Sequence, residues 1–156
     1  TALIGGYARL GETETIFPVF ERMLREGTKP DVVISTVILN ACSRTGFFGK
    51  SQTYFEAMSR DYDIVPTIEH HICMVDALGR IGELDGALSM IRKMPFCPNI
   101  VTWHSMLCAC KHSGNVQLGK EAFQHAIHLN ENDPAAYVLI SQIYADTEAD
   151  LKVTSL

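Results

Sequence analysis

The chain has 156 residues, of which 47% are hydrophobic and 20% charged, with a formal net charge of −5. That apolar share suffices to bury a core and excludes wholesale disorder, and no apolar run approaches the roughly eighteen residues that a membrane-spanning helix needs. The acidic balance weighs against a general nucleic-acid patch unless the basic residues gather on one surface. Cys42, Cys73, Cys97, Cys108 and Cys110 are an odd set. They fit a reduced intracellular or organellar compartment better than a secreted disulfide framework. The chain opens on Thr1-Ala-Leu-Ile-Gly-Gly-Tyr7 without a charged leader, so any targeting segment is expected upstream.

In chain order, one pattern recurs. Gly11, Gly46, Gly82 and Gly114 are spaced by 35, 36 and 32 residues. Phe20, Phe55, Ile91 and Phe123 keep those intervals, as do Met23, Met58, Met94 and Ala126, and Tyr7, Cys42, Leu78 and Cys110. Pro30, Pro66, Pro98 and Pro134 follow at 36, 32 and 36. Within each unit a first apolar-periodic stretch, such as Val33 to Ser43, stops near the glycine, where a missing Cβ permits a tight turn. A second stretch, Phe48 to Arg60, places a large aromatic and a methionine on one helical face. Proline then ends or resets the chain. One such pair cannot bury its apolar face alone, so neighbours must stack into a continuous core. The prediction is an all-α fold, an α-solenoid of stacked helix-turn-helix repeats in a right-handed superhelix. Its helix pairs span 1–31 (N-terminally incomplete), 32–67, 68–99 and 100–133, and a further, incomplete unit covers 134–156.

Units of this length fit both the tetratricopeptide and pentatricopeptide classes. Phe20-Glu-Arg-Met-Leu-Arg-Glu-Gly-Thr-Lys-Pro-Asp31 resembles the closing half of a pentatricopeptide repeat (PPR) motif. On that resemblance 1–31 ends a P-type repeat, 32–67 is a longer L-type and 68–99 a shorter S-type. Glu69-His-His-Ile-Cys-Met-Val-Asp-Ala-Leu-Gly-Arg80, with Lys93-Met-Pro-Phe96 after it, resembles the terminal S-type motif of the plant PLS subfamily. Val101-Thr-Trp-His-Ser-Met-Leu-Cys-Ala-Cys110, Gly114-Asn-Val-Gln-Leu-Gly119 and Ala136-Tyr-Val-Leu-Ile-Ser-Gln-Ile-Tyr144 resemble the E motifs of that subfamily. The E motif is itself tetratricopeptide-like, and Trp103, Gly119, Phe123 and Ala126 sit at matching offsets. From Glu148 on the likeness stops, because neither a turn glycine nor a second helix is legible there.

The resemblance implies a sequence-specific single-stranded RNA-binding module of an organellar factor, in mitochondrion or chloroplast, of the kind that directs C-to-U editing. It implies two partners besides RNA. A DYW-type cytidine deaminase domain would act in cis or in trans, and MORF/RIP-type editing cofactors would sit at the L-type repeat. No cofactor is implied. The alternative is a helical-repeat protein-interaction scaffold that does not touch RNA. In this family each repeat reads one base with the fifth residue of its first helix and the last residue of the repeat. Those pairs are Thr1 and Asp31, Thr36 and Thr67, and Ile72 and Asn99. The first pair is expected to favour guanine, whose ring N–H and amino group satisfy a carboxylate. Ile72 cannot hydrogen-bond a base, so discrimination there is expected to be poor. Val33 stands where family members sandwich bases with an aliphatic side chain, and Glu69 departs from that pattern.

Arg9, Arg44 and Arg80 recur at 35 and 36 residues, and His112 continues the series. They lie eight residues after each reading position, on the same side of the first helix. One cation per repeat would face the phosphate backbone even on an acidic chain.

Catalytic signals are missing. A zinc deaminase needs His-x-Glu and Pro-Cys-x-x-Cys, and neither occurs in the chain. His104, Cys108 and His112 run at i, i+4 and i+8, which spreads the histidines about 12 Å along a helix, too far to share one ion. They read as a groove-lining stripe of the E motif, and His125 and His128 as solvated neighbours on one face. The E-motif segment is expected to bind protein rather than RNA.

Overall fold

Local turn chemistry fixes where each helix starts and stops. The computed structural model describes residues 13–155, and among them are eight helices and no strand. They are α1 (Thr13–Arg25), α2 (Val32–Thr45), α3 (Phe48–Asp61), α4 (Ile68–Arg80), α5 (Leu84–Lys93), α6 (Ile100–Ser113), α7 (Val116–Leu129) and α8 (Pro134–Thr154). Tyr7 and Gly11 lie outside the described residues. Asp31, Asn99, Asn115 and Asp133 stand just before α2, α6, α7 and α8, and each accepts a hydrogen bond from the backbone N–H three residues on. This satisfies a donor that the first helical turn leaves unpaired. The helices α2 and α6 end at Gly46 and Gly114, with φ of 73° and 65°. There the next residue's N–H returns to the carbonyl five residues earlier, Phe47 to Cys42 at 3.2 Å and Asn115 to Cys110 at 3.0 Å. Only glycine adopts that left-handed geometry without a steric cost.

Two compact units divide the chain between Ala77 and Leu78, inside α4. In the first unit α1 packs on α2 and α2 on α3. Ile16, Phe17 and Phe20 of α1 meet Ile34, Ile38, Ala41 and Cys42 of α2 in one apolar cluster. Tyr54 of α3 closes it edge-on to Phe20, with ring centroids 5.3 Å apart. Met58 is fully buried, whereas Phe55 is only half-buried and lies edge-on to His71.

In the second unit α5 packs on α6, and α6, α7 and α8 pack on one another. Its core holds Ile91, Met94, Met106, Leu107, Cys110, Ala126, Ala136 and Ile143. The small residues Ala122, Ala126 and Gly119 let α7 and α8 come close, and a methyl on Gly119 would sit 3.0 Å from Ile143. No turn glycine follows Tyr144, and α8 accordingly runs on through the stretch where the sequence likeness stops. It is 21 residues long. Its second half is exposed, with Leu151 at 66% and Val153 at 74%.

Candidate nucleic-acid interface

Each first helix carries one outward stripe, set by the 3.6-residue period. On α2 the stripe runs Val33, Thr36, Asn40 and Arg44, and Val33 is 64% exposed. On α4 it runs Glu69, Ile72, Asp76 and Arg80, with Ile72 and Asp76 half-buried. On α6 the stripe is Val101, His104, Cys108 and His112. Arg44 and Arg80 are exposed in the last turn of α2 and α4. Cations are favoured there by the helix dipole. Thr1 and Arg9 lie outside the described residues.

The helix-start residues Asp31 and Asn99 cap a helix and also point a polar group outward. Asp31 Oδ1 accepts from the Ile34 N–H at 2.8 Å, and the exposed side chain keeps its second carboxylate oxygen. Asn99 Oδ1 accepts from the Thr102 N–H and from its hydroxyl, both at 3.0 Å. A backbone N–H only donates, so the amide oxygen must face the helix and the NH₂ group must face away. Asp31 therefore presents an acceptor outward and Asn99 a donor.

Thr36 and Thr67 are brought together by a residue that sequence reasoning did not single out. His70 is fully buried, with Nε2 2.9 Å from Thr36 Oγ1 and Nδ1 3.0 Å from Thr67 Oγ1. The Thr67 backbone N–H donates to Nδ1 at 2.9 Å, which leaves the ring hydrogen on Nε2. Nε2 also faces the Val32 carbonyl at 3.2 Å. Burial holds the imidazole's pKa below its usual value. Protonation would moreover set a ring N–H against the Thr67 N–H, so the ring is neutral.

Two more contacts continue this polar ladder between α2 and α4. The Cys73 thiol donates to Asn40 Oδ1 at 3.2 Å, and the Ser43 hydroxyl donates to Asp76 Oδ2. Burial pushes Cys73 up to about 12, so it remains a thiol and a donor. The only sequence trace of the ladder is polar residues at 36, 40 and 43 facing others at 70, 73 and 76.

The stripe on α6 is tied down by contacts that the sequence did not indicate. His104 does not simply line a groove with Cys108 and His112. Its Nε2 lies 2.5 Å from Asp133 Oδ2, and that carboxylate also caps α8 through the Ala136 N–H. The His104 hydrogen bond, ahead of other causes, holds the Asp133 carboxyl below the usual range. His112 turns back to the Cys108 carbonyl at 2.9 Å. His125 is exposed, as expected, and one face of its ring lies flat on Trp103 with centroids 4.1 Å apart. Beside them α5, α6 and α7 frame an open cleft of about 420 Å³. Ile91, Met94, Phe96, Trp103 and Leu118 line it, with Arg92, Glu121, His125 and His128 as polar neighbours. No group of three metal-ligating side chains gathers among the described residues, and none of their helices is long and apolar enough to cross a membrane.

Comparison with known proteins fits this architecture. The family model described as a pentatricopeptide repeat domain matches residues 1–45, and the PPR repeat model matches 33–62, 71–97 and 101–128. A pentatricopeptide repeat-containing protein of Arabidopsis thaliana is 41% identical over 145 residues, covering 93% of this chain and 20% of that protein. Another from the same plant, named as mitochondrial, is 40% identical over 156 residues, covering 99% of this chain and 17% of its own length. A further relative is named as chloroplastic. The chain thus spans about a fifth of the length of the curated relatives it matches. Among solved structures, the crystal structure of the pentatricopeptide repeat protein PPR10 in complex with an 18-nucleotide psaJ RNA element has the same fold. The TM-score is 0.77 at 18% identity, over 99% of this chain and 24% of that one. Repeat spacing, helix pairs ended by left-handed glycines and family models over most of the length agree: the chain belongs to the pentatricopeptide repeat family.

Proposed function

We propose that this chain is a sequence-specific single-stranded RNA-binding module of an organellar RNA-processing factor, of the PLS type that specifies C-to-U editing sites. The observation that carries the reading is the repeated stripe on the first helices. A polar or aliphatic contact set at the helix start is followed by an exposed arginine about two helical turns later, as in Val33, Thr36 and Arg44 of α2. The structural likeness to an RNA-bound family member, and relatives named as mitochondrial and chloroplastic, support the same reading. In this reading Thr1 with Asp31, Thr36 with Thr67, and Ile72 with Asn99 face successive bases. Val33 packs on a base, and Arg9, Arg44 and Arg80 face phosphates. The organelle is the mitochondrion or the chloroplast.

Residues 100–156 take a different part: they dock protein, a DYW-type cytidine deaminase domain in cis or in trans. MORF/RIP-type cofactors meet the unit 32–67. The observation favouring protein over RNA in the last units is the His104–Asp133 bond. By the same register these are the fifth residue of the helix and the last residue of the unit, and they satisfy each other. The chemistry of deamination belongs to the partner domain.

The test uses the longest form of the protein that the gene encodes, titrated against four RNAs differing only at the nucleotide opposite Thr1 and Asp31. Guanine should bind tightest. Asp31→Asn keeps the cap but offers an amide donor, and should move the preference toward adenine. Arg44→Ala should weaken all four RNAs alike and reduce the salt slope of log K by about one. Equal affinity for the four RNAs overturns base reading by this pair.

A further inference from the structure

We infer that His70 is the positioning residue for the Thr36–Thr67 reading pair, and that it makes both hydroxyls hydrogen-bond acceptors toward RNA. This rests on the reading proposed above, in which those two residues face one base. The two threonines are 31 residues apart in sequence, yet one buried ring touches both, Thr36 at 2.9 Å and Thr67 at 3.0 Å.

The donor order follows from the one group whose role is fixed. The Thr67 N–H can only donate, so Nδ1 is the acceptor and Nε2 carries the hydrogen. Nε2–H then donates to Thr36 Oγ1 and to the Val32 carbonyl. Thr36 cannot donate back to a ring N–H, so its hydroxyl hydrogen goes to the Val32 carbonyl at 2.9 Å. The Thr67 hydroxyl has the Nδ1 lone pair on one side and the Glu69 carboxylate as its other acceptor, and its hydrogen is committed in either case. Both oxygens keep lone pairs and no free hydrogen. The pair therefore selects a base edge that donates and rejects one that accepts at the same point. Guanine, with a ring N–H beside an amino group, is the best match. Uracil, whose single N–H lies between two carbonyls, is the worst.

A residue that only supports the fold would weaken every RNA alike when replaced, whereas a residue that sets polarity changes the ranking. Two variants separate the ends of the ring. His70→Asn retains an acceptor near Nδ1 and loses the Nε2–H to Thr36. His70→Gln, combined with Glu69→Ala because that carboxylate is the other acceptor, retains a donor near Nε2 and removes both acceptors for Thr67. The first leaves the Thr36 oxygen unheld by a ring N–H and the second frees the Thr67 hydroxyl to rotate, so each should shrink the guanine-over-uracil preference at this nucleotide from about tenfold, the scale of one hydrogen bond, to about twofold. The preference at the nucleotide opposite Thr1 and Asp31 should stay as it was.

The affinities are measured on the longest encoded form, with thermal unfolding followed in parallel to confirm folding. Should a variant fail to fold, long-range ¹H–¹⁵N spectra of the unaltered protein decide instead. His70 must appear as the neutral Nε2–H form, and a charged ring or an Nδ1–H form overturns the proposal. A guanine preference that survives both variants unchanged overturns the role of His70 alone. Equal affinity of the unaltered protein for all four bases at this nucleotide overturns the reading pair, and the role of His70 with it.

Discussion

At a helix start one side chain can cap the helix and still point a polar group outward, and Asn99 does both. Its oxygen holds the Thr102 N–H and hydroxyl, and Thr102 is fully buried. Asn99→Ala removes the cap and strands a buried hydroxyl, which should destabilise the chain by about 1–3 kcal/mol. The check is a lower urea midpoint at unchanged m-value. Asn99→Asp keeps an acceptor and should hold the midpoint while replacing the outward donor by an acceptor. His70 and Asp133 are the same kind of residue, each a polar group that fixes the geometry of another.

Between elements, the closeness of helices depends on residues with little or no side chain. Gly79 in α4 faces Ala109 in α6 so tightly that an added methyl would overlap the alanine methyl. Gly79→Ala should therefore cost about 1–3 kcal/mol despite its better helix propensity, and Ala109→Gly in the same chain should recover part of the loss. Urea unfolding of the two single variants and the double checks both statements. At the start of α8, Asp133 is held from α6 by His104. Because its carboxyl is depressed in the folded chain, the stability it contributes is fully present above the ordinary value of 3.8 and is lost as pH falls through the lower folded value. The urea midpoint of His104→Ala should thus lie below that of the unaltered chain at neutral pH, and the gap should close in acid. A gap that persists undiminished in strong acid would show that this carboxyl is not its source.

Over the whole molecule, 18 acidic residues against 13 basic ones oppose a polyanion. The opposition is weak at a distance, because charges more than about 8 Å apart are screened at physiological ionic strength. An arginine in contact with phosphate outweighs a diffuse excess of carboxylates elsewhere, so for the RNA binding proposed above the placement of Arg44 and Arg80 matters more than the sum. Burial pushes the Cys42 and Cys110 thiols up to about 11, so these cysteines serve as small apolar core residues.

The all-helical repeat was legible in the sequence, since it depends on residues at a fixed spacing, and the caps at Asp31, Asn99, Asn115 and Asp133, though not read there, are equally local, each set within one helical turn. The turn glycines belong to the same class: Gly46, Gly82 and Gly114 stand at the predicted intervals and all adopt positive φ. Only the tertiary structure decided which polar side chains meet. Thr36 and His70 are 34 residues apart, and His104 and Asp133 are 29 apart. No periodicity distinguishes these from other polar pairs on the same helices. A hydrogen bond across that separation depends on how far one helix is turned and shifted against its neighbour, and core packing sets both.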